Sequence, residues 1–297
     1  MREHTINMDN GDQLFFYSYS NSKGKPSNII LYLQGSGPSP LFTYVEQNGK
    51  AYSFKWFKSD YKNLPDNYIY VIIAKPGLNG LIHEDSLSLV PQEYSKSNYL
   101  DYRVEQANTV INFLLKQEVF NPQKVVVYGH SEGARVAAKL ASKNSKITHL
   151  GFWSGSVLPD YYDFITQHKN QKKDSLKMLL MEGELKEFKA ISESPNSIEN
   201  AYNEYSNKYW FSYSEPILYS LINLKIPVFL QGASIDNVTP VENNFLLALE
   251  FIRVGKKNFE LQTCKGCDHQ YLVENGSEVI DKWEDIFSNF FKWVESN

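Results

Sequence analysis

The chain has 297 residues, a formal net charge of -4 and a hydrophobic fraction of 42%. This composition is typical of a soluble globular protein, and the length suits one large α/β domain or two small ones. No long basic block occurs, so nucleic-acid binding has no electrostatic support. No apolar run approaches the ~20 residues of a membrane span.

The polar start, 1–11, lacks the apolar core of a signal peptide. An exported protein whose leader is missing from this chain and a cytoplasmic protein both stay open. Nothing indicates the oligomeric state.

Short apolar runs alternate with amphipathic stretches in the first half of the chain, which favours parallel strands joined by helices. Apolar residues recur at helical spacing over 99–117, which predicts a helix there. The predicted elements, in chain order, are strands over 14–19, 28–33 and 68–74, the helix 99–117, a strand over 124–128, a helix over 131–142 and a strand over 148–153.

The alternation of predicted strands and helices ends after Trp153. The segment 155–223 has a mainly helical pattern, is polar and is rich in tyrosine. The α/β order then resumes, with predicted strands over 226–230 and 258–262 and predicted helices over 241–254 and 279–294. The simplest account is a single α/β domain over 1–297 that carries 155–223 as a helical insertion. The insertion is interpreted as a lid over an active site, and the alternative is a peripheral insertion that only packs on the sheet.

The segment Gly129-His130-Ser131-Glu132-Gly133 matches the pattern G-x-S-x-G. It follows an apolar strand and opens an alanine-rich helix, which is the context of a nucleophile elbow. The serine of such an elbow sits in a strained turn, and the flanking glycines avoid a clash with it. The free N–H of Glu132 and the helix dipole would favour an oxyanion beside Ser131. The alternative is a turn that merely joins strand to helix.

A serine hydroxyl needs an adjacent base, and His269 is the histidine that follows a credible acid in the chain order Ser…Asp…His. That acid is Asp236, between a predicted strand and a predicted helix, where it would hold the imidazole tautomer. The alternative role of Asp236 is a turn or a helix cap. Asp268 is a weaker rival because it is the immediate neighbour of His269, and Glu242 is weaker because it falls in a first helical turn.

The loop 34–38, Gln-Gly-Ser-Gly-Pro, is expected to supply a second oxyanion donor because its glycines let the backbone approach a substrate closely. The predicted donors are the N–H of Ser36 or Gly35, paired with that of Glu132, and the alternative is an ordinary tight turn. The predicted pocket residues are Gln34, His83, Tyr205, Tyr209 and Trp210.

The elbow, the loop 34–38, Asp236 and His269 together resemble the α/β-hydrolase superfamily over 12–294. The resemblance implies an eight-stranded, mostly parallel sheet flanked by helices, and acyl transfer to water through a serine ester. The elbow is similar to those of prolyl-oligopeptidase-like enzymes and of acyl-ester hydrolases, and it does not separate the two branches. Many relatives have His-Gly where this chain has Gln34-Gly35.

The leading hypothesis is a hydrolase of carboxylic esters or thioesters of small to medium size, and the second is a serine peptidase or aminopeptidase on short peptides. Glu204, in the aromatic run 202–205, could bind a peptide amine, although a solvated helix face explains it as well. A non-catalytic binding module is a third hypothesis, against which the intact Ser, Asp and His argue, and acyl transfer to an acceptor other than water also stays open. No cofactor and no metal are implied, since the triad needs neither.

The two cysteines, Cys264 and Cys267, lie just before His269. Their spacing permits a small disulfide loop, a reactive dithiol or two free thiols, and the further soft ligands of a metal site are not evident nearby. In an oxidising compartment we expect a disulfide that stiffens the histidine loop. A redox switch on the position of His269 is a further hypothesis.

Overall fold

The computed structural model describes residues 1–21, 26–59, 61–88, 90–117, 122–199, 201–202 and 205–297. Its strands, in chain order, are Arg2–Asn7 (β1), Gln13–Tyr19 (β2), Asn28–Leu33 (β3), Phe42–Gln47 (β4), Lys50–Lys55 (β5), Tyr68–Ile73 (β6), Leu81–His83 (β7), Val125–His130 (β8), His149–Trp153 (β9), Ala201–Tyr202 (β10), Tyr205–Ser206 (β11), Val228–Ala233 (β12), Phe259–Cys264 (β13), Leu272–Asn275 (β14) and Glu278–Asp281 (β15). Its α-helices are Gln92–Ser97 (α1), Leu100–Leu115 (α2), Glu132–Lys143 (α3), Asp160–Gln167 (α4), Asp174–Glu193 (α5), Asn207–Tyr213 (α6), Leu218–Ile222 (α7), Glu242–Arg253 (α8) and Trp283–Ser296 (α9).

The main sheet has eight strands in the order β1-β2-β6-β3-β8-β9-β12-β13. Six of them, from β6 to β13 in that order, run parallel. At one edge, β2 pairs antiparallel with β6, and β1 pairs antiparallel with β2. Every residue of β3, β8, β9 and β12 is buried, as expected for parallel strands covered on both faces. The predicted eight-stranded, mostly parallel sheet is therefore confirmed.

Two hydrophobic layers cover the sheet, one on each face. Ile29 and Leu31 of β3 belong to one layer, and Ile30 and Tyr32 belong to the other, because alternate residues of a strand point to opposite faces. The first layer is completed by α2, α3 and α8, and the second is completed by the aromatic face of α9. Helices therefore flank the sheet as the sequence predicted.

Two antiparallel hairpins differ from the predicted elements. The pair β4–β5 turns at Asn48-Gly49, where both residues have positive φ (52° and 69°), as an Asn-Gly hairpin turn requires. The pair β14–β15 turns after Asn275 at Gly276, with φ of 65°. Because β15 takes up Glu278–Asp281, the last helix begins at Trp283 and not at 279.

The segment between β9 and β12 carries α4 to α7 and the short pair β10–β11. It includes the predicted helical insertion, 155–223, whose lid function stays a prediction. Asn203 and Glu204 lie outside the described residues. Within the described ranges, no helix is long and apolar enough to cross a membrane.

Candidate active site

Ser131 lies in a strained turn between β8 and α3, with φ of 58° and ψ of -127°. Such a conformation costs a residue with a side chain about 1–3 kcal/mol. A Cβ added to Gly129 would lie 2.1 Å from the carbonyl oxygen of Gly133, and one added to Gly133 would lie 2.0 Å from that of Leu33. Both flanking positions therefore require glycine, Gly129 because the turn brings it against the backbone of Gly133, and Gly133 because the elbow packs against the end of β3.

Ser131, His269 and Asp236 lie in one chain of hydrogen bonds. His269 Nε2 is 3.0 Å from Ser131 Oγ, and His269 Nδ1 is 2.8 Å from Asp236 Oδ2. Asp236 follows β12 and His269 follows β13, which are neighbouring parallel strands, so both side chains come from the same edge of the sheet. The carboxylate favours the tautomer that carries its proton on Nδ1, which leaves Nε2 free to accept the proton of Ser131.

The Asp236 carboxylate also organises its own loop. Its side chain is fully buried, and Oδ1 accepts hydrogen bonds from the N–H of Val238 (2.9 Å) and of Thr239 (2.8 Å). Asp236 is thus a turn residue and a partner of His269 at once, so the two roles considered from the sequence do not exclude each other.

The two rival acids have partners of their own. Asp268 Oδ1 accepts hydrogen bonds from the N–H of Gln270 and of Leu272, both at 2.9 Å, and so closes the turn after His269. Glu242 forms an exposed ion pair with Lys169 at 2.6 Å.

Two cavities meet at Ser131. The larger has a volume of about 390 Å³ and the smaller of about 160 Å³, and Ser36, Ser131 and Val238 line both. The larger cavity is lined further by Gln34, Trp56, Phe57, Lys58, Gln270 and Trp283. The smaller is lined further by Asp160, Asp163, Phe164, Tyr205, Tyr209 and Trp210. Space is therefore open on two sides of Ser131.

Four of the five predicted pocket residues line these cavities, namely Gln34, Tyr205, Tyr209 and Trp210. Among the described residues that line the two cavities, His83 does not occur. Its ring packs against Tyr44 at 5.1 Å, and its Nδ1 accepts a hydrogen bond from Asp85 N–H at 3.3 Å. The strand β7 carries His83 into the small sheet with β4, which accounts for this different position.

The loop predicted to supply an oxyanion donor lies against the elbow. A Cβ added to Gly35 would lie 3.3 Å from Ser131 Cβ, so a larger residue would crowd the serine. Glu132 is the first residue of α3, and its N–H has no acceptor within the helix. Gly35 thus lies against Ser131, Ser36 lines both cavities with it, and Glu132 follows it at the start of α3.

Besides Glu132, the smaller cavity is lined by two carboxylates and one guanidinium, those of Asp160, Asp163 and Arg135. Arg135 Nη1 is 3.1 Å from Asp160 Oδ1, and Asp163 Oδ1 accepts a hydrogen bond from Asn243 Nδ2 at 2.9 Å. Burial raises the pKa of Asp160 to about 7, against the effect of Arg135, and burial also raises the pKa of Asp163. When both carboxylates are ionised, this cavity therefore carries an uncompensated negative charge. Among the described residues, no group of three or more His, Cys, Asp or Glu side chains is arranged to hold a metal ion.

Cys264 and Cys267 are joined by a disulfide in the segment that leads to His269. The carbonyl of Cys267 accepts a hydrogen bond from Ile235 N–H at 3.0 Å, and Gly266 N–H donates to Ser234 Oγ at 2.7 Å. The cross-linked turn thus joins the His269 segment to the Asp236 loop.

Buried charged side chains near the elbow are the main feature that the sequence analysis missed. They are Lys75, Arg103, Arg135 and the carboxylate of Glu132, each no more than 7% exposed. Lys75 comes one residue after Ala74, at the carboxyl end of a predicted apolar strand, and a charge at that place in an α/β sheet is a signal of a site. Arg103 and Arg135 lie inside apolar helical patterns, where a single cation is usually interpreted as solvent-exposed.

Solved structures resemble this fold, although no protein-family model and no curated protein matches the sequence. An esterase of Pyrococcus furiosus has a TM-score of 0.57 and 13% identity, covering 99% of this chain and 89% of that one. An acylaminoacyl peptidase of Pyrococcus horikoshii has a TM-score of 0.58 and 14% identity, covering 98% of this chain and 41% of that one. A puromycin-hydrolyzing peptidase of Mycobacterium tuberculosis has a TM-score of 0.54 and 15% identity, covering 91% of this chain and 36% of that one.

The chain thus spans most of that esterase but less than half of either peptidase. At 13–15% identity, such likeness concerns the course of the backbone and leaves the branch, ester hydrolase or peptidase, unresolved. Taken with the sheet order and the strand–elbow–helix at Ser131, it shows that this chain has the α/β-hydrolase fold.

Proposed function

We propose that this protein is a serine hydrolase that cleaves carboxylic ester or thioester bonds of small to medium substrates. The observation that carries the proposal is the hydrogen-bonded chain from Ser131 Oγ through His269 to the buried carboxylate of Asp236, at a point where two cavities meet. An activated hydroxyl needs such a base and orienting acid.

In the proposed acylation step, Ser131 Oγ attacks the substrate carbonyl while His269 Nε2 takes its proton. Asp236 stabilises the imidazolium that forms. The N–H groups of Glu132 and of the Gly35-Ser36 loop stabilise the oxyanion, and the N-terminus of α3 adds a favourable dipole. His269 then returns the proton to the leaving oxygen or sulfur, and an acyl ester remains on Ser131.

Deacylation repeats these steps with water as the nucleophile. His269 takes a proton from the water, the same N–H groups hold the second oxyanion, and Ser131 recovers its proton as the acid product leaves.

We propose that 155–223 acts as a cap on the site, since Asp160, Tyr209 and Trp210 from this segment line the smaller cavity.

A serine peptidase on short peptides is the second candidate, and a separate observation favours it. Asp160 and Asp163, both from α4, line the smaller cavity beside Ser131, and only Asp160 is paired with the guanidinium of Arg135. A carboxylate in such a cavity suits the ammonium group of a peptide N-terminus, and the aromatic rings around it add cation–π attraction. This candidate predicts hydrolysis of aminoacyl amides with a free amine.

Labelling with a fluorophosphonate probe tests the proposal, with wild type and Ser131→Ala compared by intact mass. One adduct on wild type and none on the variant supports an activated Ser131. Absence of an adduct on folded wild type contradicts hydrolase function and favours a binding module. A panel of p-nitrophenyl esters, acyl thioesters and aminoacyl p-nitroanilides, with free and with blocked amines, then separates the two candidates.

A further inference from the structure

We propose that Lys75 and Arg103 are positioning residues that fix the backbone of the loop after β3, so that the N–H groups of Gly35 and Ser36 are oriented for the oxyanion before substrate binds. This inference rests on the proposed function, because the loop has an oxyanion to stabilise only if Ser131 attacks a carbonyl.

Two consecutive carbonyl groups of this loop accept hydrogen bonds from buried cations. Arg103 Nη2 donates to the carbonyl of Gln34 at 2.8 Å, and Lys75 Nζ donates to the carbonyl of Gly35. The two cations come from different elements, since Arg103 is on α2 and Lys75 follows β6. The loop is therefore held from two directions by groups distant in sequence.

These bonds determine where the N–H groups of the loop point. The Gly35–Ser36 peptide bond is trans, so its C=O and its N–H lie in one plane and point in opposite directions. A carbonyl that points at Lys75 thus turns the N–H of Ser36 away from Lys75. The same argument applies to the N–H of Gly35, because Arg103 holds the carbonyl of Gln34. Both N–H groups belong to the loop that lies against the serine, where a Cβ added to Gly35 would be 3.3 Å from Ser131 Cβ.

The carboxylate of Glu132 holds both cations in place. It pairs with Arg103 Nη1 and lies 3.5 Å from Lys75 Nζ, and the Glu132, Lys75 and Arg103 side chains are each at most 6% exposed. Glu132 also follows Ser131 in the elbow and is the predicted source of the other oxyanion N–H. One residue therefore joins the two halves of the proposed oxyanion hole, through its backbone on one side and its carboxylate on the other.

The charges of this cluster suit the same role. Two cations face one carboxylate, and the hydroxyls of Tyr209 (2.5 Å) and Tyr213 (3.1 Å) donate to Glu132 as neutral groups. Burial would raise the pKa of Glu132, but Lys75 and Arg103 keep it below its ordinary value. When Lys75 is protonated, the cluster therefore carries a net positive charge next to the place where negative charge develops, which lowers the energy of an oxyanion.

The burial of a charged side chain at Lys75 argues against a role in packing alone. Burial lowers the pKa of Lys75 to about 7, and Arg103 adds to this effect while Glu132 opposes it. A side chain that only filled space here would be better apolar, because an apolar group has no charge to remove from water.

The test compares Lys75→Met with Lys256→Met, a matched control far from the elbow. Lys256 Nζ also donates to two backbone carbonyls, those of Leu224 (2.6 Å) and Ile226 (3.2 Å). Three quantities are measured: the second-order rate of fluorophosphonate labelling, kcat and KM for p-nitrophenyl acetate, and the melting temperature. The labelling rate needs no knowledge of the natural substrate.

We expect Lys75→Met to slow labelling and to lower kcat about 10- to 100-fold with little change in KM. The misoriented N–H donors stabilise the oxyanion of the transition state and contribute little to binding of the substrate. Lys75→Met and Lys256→Met each leave backbone carbonyls without a donor, so both melting temperatures should fall, but Lys256→Met should label at the wild-type rate. A second variant, Arg103→Lys, keeps the charge beside Glu132 but loses the planar fork that also reaches Gln34, and it should slow labelling too.

Labelling of both Lys75→Met and Arg103→Lys within twofold of the wild-type rate would overturn the inference. So would a loss of kcat in Lys75→Met that is matched by an equal rise in KM or by an equal loss in Lys256→Met. If wild type itself is not labelled, the proposed function fails, and that outcome is distinct from equal labelling of wild type and variants.

Discussion

His130 Nε2 donates a hydrogen bond to the backbone carbonyl of His269 at 2.8 Å. Burial lowers the pKa of His130 to about 3, with a further contribution from His269, so this ring is neutral near pH 7 and carries its proton on Nε2. The residue before the nucleophile thus holds the backbone of the proposed base. This bond spans 139 positions of sequence, and the bond from Ser131 to His269 spans 138.

The first prediction concerns this bond. His130→Phe keeps an aromatic ring but leaves the His269 carbonyl without its donor, and a buried unpaired acceptor costs about 1–3 kcal/mol. We expect kcat for p-nitrophenyl acetate to fall about 10-fold, since 1.4 kcal/mol corresponds to a factor of ten. His130→Gln, which retains an N–H donor, should recover part of the rate. Equal losses in the two variants would mean that the ring, and not the bond, matters.

The second prediction compares the same substitution at two helical glycines. Gly133→Ala places a methyl group 2.0 Å from the Leu33 carbonyl oxygen, and backbone must move to admit it. We expect a loss of several kcal/mol of unfolding free energy, or no folded protein. Gly183→Ala, in α5 with open space around the added methyl, should gain about 0.5–1 kcal/mol. Urea unfolding of both variants measures the difference, and similar stabilities would contradict the close packing of the elbow on β3.

The third prediction is a pH dependence of stability that comes from Asp160. Its pKa is raised from 3.8 to about 7, so the folded state binds more protons than the unfolded state between these values. The contribution of Asp160 to stability is therefore complete below about pH 4 and is lost as the pH rises through about 7. Relative to Asp160→Asn, wild type should lose on the order of 2 kcal/mol between pH 5 and pH 7. Parallel stability curves for the two proteins, measured by urea unfolding, would rule out the raised pKa.

The fourth prediction concerns the disulfide. Cys264 and Cys267 close a very short loop, which stabilises the folded state by about 2 kcal/mol on a chain-entropy argument. We expect dithiothreitol to lower the melting temperature of wild type but not that of the double variant Cys264→Ser/Cys267→Ser. Esterase activity recorded in the same samples tests whether the cross-linked turn also sets the position of His269. Two titratable thiols in untreated protein, or identical melting with and without reductant, would argue against the bond.

The sequence predicts those parts of the fold and the candidate site that depend on local pattern. The central strands are runs of buried residues, and the elbow is a contiguous motif with glycines that its packing requires. Asp236 and His269 can be found from their positions after successive strands, because the carboxyl ends of parallel strands meet at one edge. These predictions need no knowledge of distant contacts.

The charged cluster on Glu132 could not be found in this way. Lys75 and Arg103 lie 57 and 29 residues before Glu132, and no period in the sequence relates them. Their pairing results from the packing of α2 and the end of β6 around the elbow.

The hairpin β4–β5 is a different case, because Asn48-Gly49 between alternating residues is a local hairpin signal. That signal predicts the two strands without any tertiary information.

The bonds from Tyr209 and Tyr213 to Glu132 have a consequence for how a substrate reaches Ser131. Both tyrosines are on α6, so this helix is tied to the nucleophile elbow through a buried carboxylate. If α6 moved away from the elbow, the buried carboxylate of Glu132 would lose two hydrogen-bond donors, which is costly for a charge that water does not reach. If 155–223 opens as the proposed cap, we therefore expect α6 to stay on the elbow and the moving part to lie before α6 in the chain.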